Sequence, residues 1–561
     1  MAGSGTYISF DKERVGVYTK FEAKKASDFI NADTTGIVSI GLPMDWGKDG
    51  EITEVLGTEI ENGACLSKIG YSLNDEEILP YRLALHNAYK AYFYKLNKGG
   101  NKATANVGNI VIVAKYTGIC GNSIKVVITA NTPSTGRYMV DVYYKGSKRE
   151  TFYVSNGEEL IALTSEWVDF TSEAETPTIT STTGVTLEGG TNGSVVKDTT
   201  GGTKATVDIG SLTFTAKNEG TDGNKIGITI AENSEDSSKY DLAINVNNVA
   251  EESFLALEDI AAFLAVTSNL VTITNPSGST ITTATNTLLT GGTDAATSSY
   301  EDFFKAIRYK LYDYIAVNSA DATISDKIVE FVNKEIARGK YVSGVVYNKP
   351  LLNNKYIVSV DQGLECEGFT ITTALMPMFV ASMRAGCPLG KCLDDHDMYE
   401  EIGATKIINE VEDDDAAVTA KLNQGCFFYT YLNDGTVVVE EDINTFVEYS
   451  QNDPADYRRN RLIATQNYIG NHVYLFQNKQ VLAKSMADDD SQVTRGLLKS
   501  DIDTVCSELA EKNVIRNYNP VTDIAIDNVE GRKSELITKT NLFYLDSLRK
   551  IYNEFTIVLE A

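Results

Sequence analysis

One alternation of apolar and polar positions occurs twice along this chain. Residues 103–131 read ATANVGNIVIVAKYTGICGNSIKVVITAN, and residues 205–233 read ATVDIGSLTFTAKNEGTDGNKIGITIAEN, an offset of 102. The same offset relates Leu187-Glu188-Gly189-Gly190-Thr191 to Leu289-Thr290-Gly291-Gly292-Thr293. A constant offset over so long a stretch marks two copies of one module, a tandem pair and not a solenoid. Apolar residues recur at every second position, as at Ile110, Ile112 and Ala114 and again at Ile124, Val126 and Ile128. That period predicts half-buried strands. Between the two runs stands Gly-x-x-Gly-Asn, at 118–122 and at 220–224. Gly and Asn accept positive φ, so a turn is expected there. Further strands are predicted at 138–144 and 240–246, and helices at 158–168 and 253–266. Each copy ends in Thr/Ser/Gly-rich sequence, and both read as small, mostly β domains.

The flanks have another rhythm. Strands are predicted at 36–42, 91–96, 314–317 and 342–347, and helices at 78–90, 300–312 and 325–338. Helix and strand in alternation indicate an α/β layer into which the modules are inserted. Beyond residue 442 the helices lengthen, at 457–474 and 501–512, beside strands at 521–526, 537–541 and 554–559. The fold class expected is a multidomain α+β chain. Its parts are an extended arm (1–26), an α/β core in two pieces (27–100 and 298–440), two inserted β modules (101–200 and 201–297), a C-terminal domain (441–552) and a terminal strand (553–561).

Composition narrows the function. With 77 acidic against 50 basic residues the net charge is −27, which repels phosphate backbones and makes nucleic acid an unexpected partner. The seven cysteines are scattered and odd in number, the usage of a reducing compartment. The N-terminus has no basic segment followed by an apolar run, and no stretch of 18 apolar residues occurs, so neither secretion nor membrane insertion is expected.

Candidate chemistry is sparse. There are three histidines, His86, His396 and His472. His86 and His472 sit in helical patterns and read as packed or boundary residues. Cys387, Cys392 and His396 could supply three zinc ligands, but no fourth stands at a usual spacing, and buried thiols are the plainer reading. Phosphate-loop, dinucleotide and nucleophile-elbow motifs are absent. The acidic triplets at 413–415 and 488–490 lack the spacing of a calcium loop. No catalytic residue, metal or cofactor is therefore assigned, and the chain is not expected to be an enzyme.

Three features point to assembly instead. Tyr7, Ile8 and Phe10, with Val15 and Val17, alternate as in a strand, and a polar stretch separates them from the first domain. Phe555, Ile557 and Leu559 share one face of the terminal strand. Such arms either pair within their own subunit or add to a neighbour's sheet edge. Arg458, Arg459 and Arg461 form a basic group in an acidic chain, with Arg458 and Arg461 expected on one helix face.

An ordered set of motifs carries a resemblance. Gly5-Thr6-Tyr7-Ile8-Ser9-Phe10, Trp46-Gly47, Ala114-Lys115-Tyr116-x-Gly118-x-x-Gly121-Asn122, Trp167-Val168-Asp169-Phe170, the Gly-Gly-Thr runs and Asp442-Ile443-Asn444-Thr445 resemble contractile tail sheath proteins of phages of Gram-positive hosts. The family pattern has one Ala-Lys-Tyr module where this chain has two, and the second carries Asn218 in place of Tyr.

The resemblance implies a virion protein, made in the host cytoplasm, that polymerises as stacked hexameric rings around an inner tube. Arms of one subunit join the C-terminal sheets of neighbours, and contraction drives the tube through the envelope. The partners implied are further sheath copies, the tail tube protein, and baseplate and tail terminator proteins. The two arms would be the exchanged strands, and Arg458, Arg459 and Arg461 the tube-facing residues. The alternatives are the sheath of a headless contractile bacteriocin or injection system and, more distantly, a β-module surface or carbohydrate-binding protein.

Overall fold

The computed structural model describes residues 36–130, 136–275, 278–293, 297–412, 414–450, 453–480, 491–528, 530 and 536–545, and the backbone of 3–5 and 16–18. Its centre is a six-stranded sheet in the order Ile357–Val360, Ser343–Tyr347, Tyr314–Val317, Ile37–Leu42, Lys90–Lys95, Ile52–Leu56. All neighbours are parallel except the last pair. Both faces are buried, so successive residues feed two different cores. Val38, Ile40, Phe93, Ala316 and Val345 pack on one side with the helix Met376–Gly386. Ile37, Tyr92, Tyr94, Ile315 and Val346 pack on the other with helices Ser299–Ile307 and Ala322–Ala337. This two-sided burial is why these strands read as unbroken apolar runs.

The chain leaves this sheet after Lys95 and re-enters it at Tyr314, and the two modules lie between. Copy 1 pairs Asn101 with Thr191 and Thr104 with Glu188; copy 2 repeats both bridges 102 residues on, as Thr203 with Thr293 and Thr206 with Thr290. Asn122 donates to the Gly190 carbonyl and accepts from its N–H, both at 2.8 Å, and Asn224 does the same with Gly292. Each module has a three-stranded and a four-stranded sheet, for instance Ser147–Val154, Tyr138–Tyr144, Ile124–Ala130 and Thr182–Thr186 in copy 1.

Several predicted elements change form. The Gly-x-x-Gly-Asn turns are single 3-10 turns, Ile119–Ser123 and Thr221–Lys225. The helix expected at 158–168 is only Gly157–Ile161, because Asn156 caps its start and the Ser165 hydroxyl then accepts from Trp167 and Val168 N–H and launches a strand. The helix expected at 253–266 begins after the Asp259 cap, as Ile260–Leu264, and 253–257 belong to the strand Val249–Leu257. The helix expected at 78–90 ends at Ala84, since Asn87 and Ala88 N–H turn to the Ser382 hydroxyl.

The C-terminal domain packs helices Asn460–Gln480 and Ser491–Glu511 around Tyr468, Ile502, Val505, Leu509 and Ile515. Beside them lies the antiparallel pair Ile524–Asn528 and Leu536–Thr540. At the N-terminus Gly3–Gly5 pairs in parallel with Gly16–Tyr18.

Candidate assembly surfaces

Of the predicted arm residues, Val17 lies in a described strand, opposite Ser4 of the same chain. Tyr7, Ile8, Phe10, Val15, Phe555, Ile557 and Leu559, and the terminal strand they define, lie outside the described residues.

The three arginines are not on one helix. Arg458 ends a 3-10 turn (Ala455–Arg458), Arg459 is extended at φ −83° and ψ 119°, and the long helix starts at Asn460. Pro454 and the extended Arg459 break the helical spacing, so Arg458 and Arg461 do not share a face as expected. Each engages the subunit itself. Arg458 donates to the Leu422 carbonyl, Arg461 to the Gly390 carbonyl at 3.2 Å, and Arg459 lies 3.5 Å from Glu441 and 3.8 Å from Asp394.

These contacts surround a polar junction that the sequence reading missed. Arg384 Nη1 is 2.6 Å from Asp442 Oδ2, and both side chains are fully buried. Asp442 also accepts from Asn460 Nδ2 at 2.9 Å and from Leu393 N–H at 3.2 Å. Burial pushes the guanidinium toward its neutral form, but the Asp442 carboxylate overrides this and holds it charged. The junction fastens the C-terminal domain to the core helix Met376–Gly386.

Several apolar side chains of the C-terminal domain are exposed. Val521 is 77% exposed, Tyr474 57%, Phe543 55% and Ile537 43%. A cleft of about 480 Å³ opens beside Tyr474, lined also by Tyr341, Ile469, Val473, Thr538, Thr540 and Leu542. It runs beside the Leu536–Thr540 strand, which among the described residues pairs on one side alone, with Ile524–Asn528.

The modules differ in how they dock. Trp46 of the core stacks on Trp167 of copy 1 at 6.0 Å and meets Tyr116 edge-on at 5.1 Å, and Tyr144 stacks on Trp167 at 4.5 Å. Tyr144 also donates to the Gly70 carbonyl. A Cβ at Gly118 would lie 1.9 Å from the Asp45 carbonyl oxygen, and its φ is +126°, so only glycine fits. Copy 2 places Asn218, Val246 and Leu270 at the positions of Tyr116, Tyr144 and Trp167, and builds a core from its own residues. Its strand Val249–Leu257 has one residue more than Ser147–Val154, so Leu270, and not residue 269, answers Trp167. Both residues donate their N–H to a serine hydroxyl at 3.0 Å.

The candidate zinc ligands do not come together: among the described residues no group of three or more His, Cys, Asp or Glu is arranged to hold a metal. His396 turns to Glu401 instead, at 2.7 Å. His472 is half-buried, its Nδ1 on the Tyr468 carbonyl, and burial holds its imidazole below the usual range. Among the described residues no helix is long and apolar enough to cross a membrane.

Comparison with known proteins matches residues 452–558 to the family model described as phage tail sheath C-terminal domain. Two Bacillus subtilis (strain 168) proteins align along 94% of this chain and 94% of their own length. They are uncharacterized protein YqbK, 24% identical over 537 residues, and phage-like element PBSX protein XkdK, 22% identical over 538. Among solved structures, a sheath tail protein from Listeria innocua superposes with a TM-score of 0.64 at 20% identity, covering 91% of this chain and 92% of that one. A sheath tail protein from Desulfitobacterium hafniense gives 0.59 at 21% identity, covering 96% and 99%.

Proposed function

We propose that this chain, which carries a phage tail sheath C-terminal domain on the fold of sheath tail proteins, is the structural subunit of a contractile tail sheath. The observation that carries the reading is coverage: one fold likeness spans 91–96% of the chain, and the family match falls on its C-terminal helical domain. In this reading copies stack as hexameric rings around a tube protein, between baseplate and terminator proteins, in the tail of a virion. Contraction is a change between two packings of rigid subunits and needs no bound nucleotide.

The strand-exchange residues of the two arms, Tyr7, Ile8, Phe10, Val15, Val17, Phe555, Ile557 and Leu559, would link neighbours. The two-stranded sheet of Ile524–Asn528 and Leu536–Thr540 supports this, because among the described residues each of its strands has one unpaired side to which a strand could add. The bonds of Arg458, Arg459 and Arg461 within the subunit support a clamp between core and C-terminal domain. A tube-facing role would require trading those bonds for carboxylates of the tube. The sheath of a headless particle is the second reading, since XkdK is named for a phage-like element.

Electron microscopy of the purified protein, alone and with its tube protein, tests the proposal. Striated hollow cylinders are expected. A stable monomer under every condition, tube protein included, would overturn it.

A further inference from the structure

Two of the chain's three histidines meet on one carboxylate. His86 Nε2 lies 2.7 Å from Glu401 Oε1, and His396 Nε2 lies 2.7 Å from Glu401 Oε2. Asn87 Nδ2 also donates to Oε1 at 2.7 Å. His86 and Asn87 form the turn after the helix Leu79–Ala84, and Glu401 belongs to the short helix Met398–Ile402. One side chain therefore joins segments 315 residues apart. A neutral imidazole donates its Nε2–H to the carboxylate. Because the carboxylate is ionised the bond is charge-assisted already, and protonating the imidazole adds direct attraction between opposite charges.

We propose that Glu401 and His396 form a proton-operated clamp that holds the short helix Met398–Ile402, whose carboxylate His86 and Asn87 also engage, more tightly as the pH falls from about 8 to about 6. The inference rests on this geometry and is independent of the sheath reading.

The surroundings favour it. Asp397 and Glu400, on the same segment, add negative charge beside His396. From other elements, Glu61 and Arg82 line the cleft of about 680 Å³ that His86 and Glu401 also line. Lys391 and Lys512 line a second cleft, of about 810 Å³, that His86 also lines. Glu367 accepts from the Tyr399 hydroxyl at 3.1 Å, and Lys406 is held by Glu365 at 2.9 Å. The Phe379 ring lies 5.5 Å from the His86 ring. The bond to Glu401 raises the His396 imidazole above its usual range, and the bond to His396 holds Glu401 well below the carboxylate range. The sign follows. A raised imidazole contributes stability that is full below its unfolded value, near 6.5, and is lost as pH rises through its folded value. Glu401 stays ionised across that window.

Hydrogen exchange of the full chain at pH 6 and pH 8, corrected for intrinsic rates, tests the clamp. Amides of 398–403 are expected to gain severalfold protection at pH 6. Glu401→Gln should abolish the gain. His396→Gln keeps a donor but cannot titrate, so it should retain protection at pH 8 and lose most of the gain. Equal protection at both pH values, or a gain that survives both substitutions, would overturn the proposal.

Discussion

Arg384 is the one charged residue in the run Met376–Gly386, and its side chain is 1% exposed. A guanidinium at such depth survives only beside an equally buried carboxylate, and Asp442 supplies it. Removing one partner strands the other. Arg384→Met is therefore expected to lose about 3–5 kcal/mol of stability, while Arg384→Met with Asp442→Leu should recover much of that loss. Chemical denaturation of both variants measures the difference; equal losses would show that the pair is not the cause. This pair was half legible in sequence. The motif at 442–445 is visible along the chain, and the lone charge inside the apolar run 376–386 is the signal that locates its partner. The histidines failed for a related reason. Along the chain His86 and His396 stand as separate residues, because the carboxylate that unites them is 315 residues from the first. Pattern along the chain reports local periodicity, whereas a three-residue constellation is made by the tertiary fold.

The modules illustrate what is legible at the scale of elements. Strands at 138–144 and 240–246 match the folded ones residue for residue, since period-two alternation is a local property. Helices at 158–168 and 253–266 were overextended, because the capping side chains Asn156 and Asp259 and the strand-starting Ser165 and Ser268 punctuate those segments. The loss of the aromatic trio in copy 2 was visible only in part, through Asn218. Where the ends of copy 2 sit has a consequence. Val196 N–H donates to the Ser299 hydroxyl at 3.0 Å, Ser299 N–H to the Val196 carbonyl at 2.8 Å, and the Ser298 hydroxyl to the Lys197 carbonyl at 2.7 Å. The two ends are thus side by side, the arrangement that tolerates insertion or removal of a unit. Excising 200–296 behind a short glycine bridge should leave the remaining chain folded, with calorimetry losing a separate transition. Trp167→Ala in copy 1 should instead cost about 3–5 kcal/mol, because that ring is packed into the main core. If excision of copy 2 destabilises the body as much as Trp167→Ala does, the independence of its core is refuted.

At the scale of the whole molecule, a net charge of −27 sets the terms of any assembly. Copies packed side by side repel one another over about a Debye length, roughly 8 Å at physiological salt. The attraction that holds a lattice must then be short-ranged: backbone hydrogen bonds and apolar burial. The C-terminal domain offers both. Among the described residues its sheet of Ile524–Asn528 and Leu536–Thr540 has two strands, each with one unpaired side, and Val521, Ile537, Phe543 and Tyr474 of the same domain stand exposed. A third strand making several backbone bonds, at about 0.5–1.5 kcal/mol each, would contribute several kcal/mol per link before side-chain burial is counted. The alternation of Phe555, Ile557 and Leu559 gives residues 554–561 the pattern such a strand needs. Deleting those residues should therefore abolish cylinder formation while the soluble subunit keeps the unfolding midpoint of the full chain. The two measurements separate a lost link from a lost fold. Cylinders formed normally by the truncated chain would rule out strand addition by this tail and leave side-chain contacts to carry the lattice against its own charge.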